Sequence, residues 1–176
     1  MWSPEGQGFA RGSETFRHPG AVGTSPSHDV SHLLLAASDQ LPWRPSGTRE
    51  EICFAEYNAV LLEHLLLRAV QGEPPGLAVR ASLGHAAWFC REHYAPFPVE
   101  PAEALRRFRE GLDPELVLRL FPFFWGVRVV ELARGGAQDL TFRLAFESTD
   151  EPPASPDCEA ARRLARLSLE RVLVAS

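Results

Sequence analysis

The chain has 176 residues, 45% of them apolar, and a net charge of −5, which suits one soluble domain large enough to bury a core. All 18 basic residues are arginine, and they form no stripe of the kind nucleic-acid binding needs, so that class of partner is excluded. No signal peptide is recognisable, and no apolar run reaches the roughly 18 residues that would span a membrane.

In chain order, residues 1–24 mix Gly, Ser, Thr and Pro with little periodicity, and they predict a flexible N-terminal segment ahead of a single helical domain over 25–176. Ser25-Pro26 opens a helix, serine as cap and proline in the first turn. Val30, Leu33, Leu34 and Ala37 form its apolar side. His28 and His32, four residues apart, stack on the other face, with Asp29 on the adjoining flank. A turn-rich stretch over 41–47 leads to a longer helix from Arg49 to about Val70. Thr48-Arg49-Glu50-Glu51 has the capping-box spacing at its start. This helix is apolar almost all round, so it should be buried on most sides and serve as the hub of a bundle. Gly72 and Pro74-Pro75-Gly76 stop it.

A third helix is predicted from Leu77 to about Tyr94, with Val79, Leu83, Ala86, Ala87 and Cys90 on one stripe and Ala81, His85, Trp88 and Glu92 on the other side. A short arginine-rich helix, Ala102–Glu110, follows, and Asp113 caps another through Phe121. The pattern then changes. Trp125–Leu132 and Leu140–Glu147 are β-prone, and residues 134–137 between them can turn, which predicts a small β-hairpin over about 126–147. After a linker at 148–157, Asp157 caps a last helix with Ala161, Leu164, Leu167 and Val172 inward and Arg162, Arg163 and Arg166 outward. The fold class is therefore mainly α: a helical bundle around a buried central helix (about 49–70) with one small hairpin. Cys53, Cys90 and Cys158 stand in no CxxC pattern. They read as free thiols of a reducing compartment, the first two in the core, and the expected address is the cytoplasm.

Two acids interrupt the apolar surface of the central helix. Glu56 and Glu63 are seven residues apart, so they fall within about 20° of one another. Carboxylates in such company are costly unless something positive meets them. Folding the first two helices back on each other puts His32 level with Glu56 and His28 between Glu56 and Glu63. Nitrogen and carboxylate donors would then converge inside a helix pair, as metal sites in bundles are built. The expected ligands are His28, Asp29, His32 and Glu56, and the expected cofactor is a divalent metal: zinc, iron or manganese. Glu51 points away from that face and is assigned to the cap. Glu63 is the candidate second ligand or general base, its pKa raised by apolar surroundings. His85, with Glu92, is the candidate to complete a second, ferritin-like half of the site. The competing reading makes Glu56 and Glu63 buried partners of arginines in a non-catalytic interaction module.

His28-Asp29-x-x-His32 followed by a glutamate on the next helix resembles the HDxxH…E motif of the coenzyme Q (ubiquinone) biosynthesis protein four family. The resemblance implies a helical protein that holds a divalent metal on His, Asp, His and Glu and acts on prenylated aromatic quinone precursors, replacing a ring carboxyl by hydroxyl. The acidic ligand departs from the family pattern: eighteen residues separate His32 from Glu51 and twenty-three separate it from Glu56, more than the family has. The expected function is a metal-dependent enzyme acting on an apolar, aromatic or quinone-like small molecule, with peripheral membrane contact compatible with such a substrate. An HD-type phosphohydrolase also uses an adjacent His-Asp pair. It would want a further histidine upstream, and only His18 stands there.

Overall fold

The computed structural model describes residues 26–38, 48–94, 100–134 and 155–174. They form six helices: α1 (Pro26–Ala37), α2 (Arg49–Val70), α3 (Pro75–His93), α4 (Pro101–Gly111), α5 (Pro114–Arg134) and α6 (Pro156–Val174). The flexible segment expected over 1–24 lies outside the described residues.

The hub is α2, which packs against α1, α3, α4 and α6. Its ends are well specified. At the N-terminus the Thr48 hydroxyl accepts from the Glu51 amide while the Glu51 carboxylate accepts from the Thr48 amide, a reciprocal cap of about 1 kcal/mol. At the C-terminus Gly72 adopts φ +77°. The amides of Glu73 and Gly72 return to the carbonyls of Arg68 and Ala69, closing a Schellman turn that glycine enters without strain. Between these ends Phe54, Tyr57, Leu61, Leu62, Leu65 and Leu66 are all buried. These cover one half of the helix, at about 1.5–3 kcal/mol for each large side chain buried, and Cys53, Glu56, Ala59 and Val60, buried as well, cover the other half.

The other helices close round this hub. α4 docks by Ala104 and Phe108, with the Arg107 guanidinium 3.7 Å over the Phe54 ring, a cation–π contact. Arg109 Nε donates to the Val172 carbonyl at 2.6 Å, satisfying an orphan acceptor near the end of α6. α1 packs between α2 and α5, burying Val30, Leu34 and Leu35. No helix among the described residues is long and apolar enough to cross a membrane.

Three expectations are corrected. The first arm of the hairpin is helical: α5 runs unbroken from Pro114 to Arg134, and the second arm lies outside the described residues. Val117, Phe121, Phe124 and Val127 recur at helical spacing and are all buried, a helical stripe that runs on into the β-prone Trp125–Leu132. Strand propensity is a preference for a half-buried setting, and packing overrides it. Pro122 sits inside this helix at a cost of about 3 kcal/mol, and burial of Phe124 and Val127 beyond it is of the same size or larger. In α6, Leu167 is exposed, and the inward stripe is Cys158, Ala161, Ala165, Ser168, Leu169 and Val172. Its cap is Ser155, whose hydroxyl accepts from the Cys158 amide, two residues ahead of the expected Asp157.

Candidate metal centre

Two helices build the centre. α1 presents His28 and His32 one turn apart, and α2 presents Glu56 and Glu63 two turns apart. The four residues are 4%, 8%, 2% and 8% exposed, so whatever charge they carry is held largely out of water. His28 lies between the two carboxylates. Its Nδ1 is 3.0 Å from Glu63 Oε2 and its Nε2 is 3.2 Å from Glu56 Oε2. His32 Nε2 is 3.1 Å from His28 Nε2 and 3.3 Å from Glu56 Oε1. The two rings meet edge to face, 89° apart, which lets both Nε2 atoms approach one carboxylate.

Protons alone serve this arrangement imperfectly. Burial by itself pushes the His28 pKa down, but hydrogen bonds to Glu56 and Glu63 and their charges outweigh it and hold His28 well above the usual histidine range. Burial likewise pushes Glu56 up, and the two imidazoles overcome it, leaving the carboxyl at about 2. Yet only one of two Nε2 atoms 3.1 Å apart can carry a hydrogen along the line between them. A cation beside the Glu56 carboxylate could be met by both lone pairs. His28, His32 and Glu56 form a buried group that could hold a metal ion, with one donor atom from each, all within 4.8 Å of one another.

The remaining candidates are placed elsewhere. Asp29 is half-buried and outside the converging group. On a helix it lies about 100° round from His28, whereas His32 lies only about 40° round. Glu63 reaches the far nitrogen of His28. His85 stacks on His64, ring centroids 3.8 Å apart, because His64 occupies the flank of α2 that α3 covers. Glu92 is exposed, so His85 and Glu92 add no second half to the site. Glu51 is exposed and engaged in the cap.

Sequence reasoning did not connect the floor of the site with it. Cys53 and Cys90 meet there, the Cys90 thiol 4.0 Å from the Cys53 carbonyl, and Tyr94 is buried nearby. Burial pushes the Cys90 thiol and the Tyr94 phenol up, and the Glu56 charge adds to both. Burial of this kind disfavours the thiolate that a metal would need. The signal was available in the antiparallel pairing of α2 with α3 across Gly72, which sets residue 53 opposite residue 90. No protein family, curated protein or solved structure matches this chain.

Proposed function

We propose that the chain is a metal-dependent enzyme whose divalent cation is held by His28 Nε2, His32 Nε2 and the Glu56 carboxylate. One observation carries this reading: the two Nε2 atoms stand 3.1 Å apart, and the Glu56 carboxylate sets Oε2 3.2 Å from that of His28 and Oε1 3.3 Å from that of His32. Ligands about 2 Å from a tetrahedral metal are separated by about 3.3 Å along each edge, which matches the spacing of the two nitrogens and of each nitrogen from its nearer carboxylate oxygen. Two imidazoles and one carboxylate suit zinc, iron or manganese. Three protein ligands leave a coordination position for water or substrate, as catalytic sites do and closed structural sites do not. A metal there would act as a Lewis acid or activate a bound water. The motif resemblance favours an apolar substrate, aromatic or quinone-like.

The pairing of His28 with both glutamates favours a second reading, a purely structural polar cluster in a non-catalytic helical module. Elemental analysis of protein purified without a metal-binding tag separates the two. The enzyme reading expects close to one transition metal per chain, lost in His32→Ala. A metal-free wild type that takes up none on titration with zinc, iron(II) or manganese(II) would overturn it.

A further inference from the structure

We infer that Glu63 is the positioning residue of this centre: it accepts the His28 Nδ1–H and thereby fixes Nε2 as the nitrogen offered to the cation. The inference rests on the metal-centre reading above. A carboxylate only accepts hydrogen bonds, so the 3.0 Å contact of Glu63 Oε2 with His28 Nδ1 places a hydrogen on Nδ1, and without a cation the 3.2 Å contact of Glu56 Oε2 places another on Nε2. A cation that displaces the Nε2 proton leaves Nδ1–H with Glu63 and takes the lone pair of Nε2, the atom 3.1 Å from His32 Nε2 and 3.2 Å from Glu56 Oε2. The ring orientation follows from the same contacts, since a flipped ring would turn two C–H groups toward the carboxylates.

The geometry also excludes the roles first expected of Glu63. The two nitrogens of an imidazole point away from each other, so the His28 ring stands between Glu63 and the three converging donors. Glu63 can neither ligate the cation nor take a proton from its bound water without displacing that ring. What it supplies is orientation and charge. A divalent cation held by Glu56 and two neutral imidazoles leaves one uncompensated positive charge in a buried site. The Glu63 carboxylate, in hydrogen-bond contact through His28, brings the sum to zero. Carboxylate–histidine–metal relays of this form also raise the basicity of the ligating nitrogen.

The test uses full-length protein, zinc titrated in competition with a chromophoric chelator, and cobalt(II) absorption as a signature of the donor set. Glu63→Gln keeps an acceptor oxygen for Nδ1–H but no charge, and Glu63→Ala keeps neither. Zinc affinity is expected to fall about 10-fold in Glu63→Gln and toward about 100-fold in Glu63→Ala, with the cobalt spectrum retaining its wild-type form. Long-range 15N–1H spectra of the zinc-bound wild type should show the His28 hydrogen on Nδ1, which a merely structural role would not require. Unchanged zinc affinity in both variants would overturn the inference while leaving the metal centre standing, whereas a hydrogen on Nε2 would overturn it together with ligation of the cation by that nitrogen. A cobalt spectrum reporting loss of a carboxylate ligand in Glu63→Gln would overturn it in favour of direct ligation. A wild type that binds no zinc or cobalt would overturn both readings. If Glu63→Ala fails to fold, Glu63→Gln and the tautomer measurement decide.

Discussion

Glu56→Gln changes the centre by one charge and almost no volume. Glu56 is 2% exposed and lies within 3.3 Å of both imidazoles, so the substitution leaves His28 facing an amide where it had a carboxylate. Removing one partner of a buried ion pair costs about 3–5 kcal/mol. The amide oxygen still accepts a hydrogen bond, which sets the expected loss near the lower end, about 3 kcal/mol. At this chain length each kcal/mol moves Tm by about 2–4 °C, so metal-stripped Glu56→Gln should melt about 6–12 °C below stripped wild type. Metal content should fall with it, since the only anionic ligand is gone. Glu51→Gln is the control. Glu51 is exposed and glutamine also serves the third position of a capping box, so Tm should stay within about 2 °C and metal content should not change. Differential scanning fluorimetry and elemental analysis on the same preparations suffice. If Glu51→Gln lost the metal while Glu56→Gln kept both metal and stability, the angular assignment of the site would be wrong.

The stability of stripped protein should depend on pH in a window set by His28 and Glu56. A raised His28 stabilises fully below about 6.5 and loses that contribution as pH rises through its folded pKa. A Glu56 held at about 2 stabilises above about 4.5 and loses that as pH falls. The pair therefore contributes most between those limits. Metal binding must displace the His28 proton, so the gain in Tm on adding zinc should grow from pH 6 to pH 8; a flat or falling gain would contradict this. His64, lowered to about 4 by burial above all, should titrate well below an ordinary histidine in two-dimensional NMR, and a midpoint near 6.5 would contradict the packing of His64 on His85. Gly126 is helical, and an added Cβ there meets nothing within 4 Å. Gly126→Ala should thus raise stability by up to about 1 kcal/mol, and a loss in denaturant unfolding would point back to a turn or strand.

The parts of this molecule legible in its sequence are those fixed by local chemistry or by one strong contrast. Thr48 and Glu51 announce a capping box from three residues' spacing, and Gly72 announces a helix end. Glu56 and Glu63 stand out because an otherwise apolar helix tolerates acids only where a partner meets them, and the turn-rich sequence over 41–47, which predicts that the first helix folds back on the second, points to His28 and His32 as that partner. What was not legible depended on packing between distant segments. Val127 and Val129 fit a strand as well as a helix until Phe121 and Phe124 are seen to share the buried stripe of α5. His85 carries the right chemistry, but α3 covers the His64 flank of α2, a rotation that no spacing reveals. Asp29 belonged to the motif, yet its position on the helix turns it off the face that His28 and His32 share. Which His28 nitrogen meets which glutamate is a side-chain fact, and the helical pattern fixes only that they meet.

The central claim is that His28, His32 and Glu56 together bind one divalent cation, and X-ray absorption at the metal edge of zinc-loaded protein tests it most directly. The expected spectrum has nitrogen and oxygen scatterers at about 2.0–2.2 Å, with the outer-shell pattern of two imidazoles, a signature lost with the metal in His32→Ala. A sulfur shell near 2.3 Å would move the metal to Cys53 and Cys90, and a spectrum of fully hydrated zinc, with no imidazole pattern at all, would contradict the account outright.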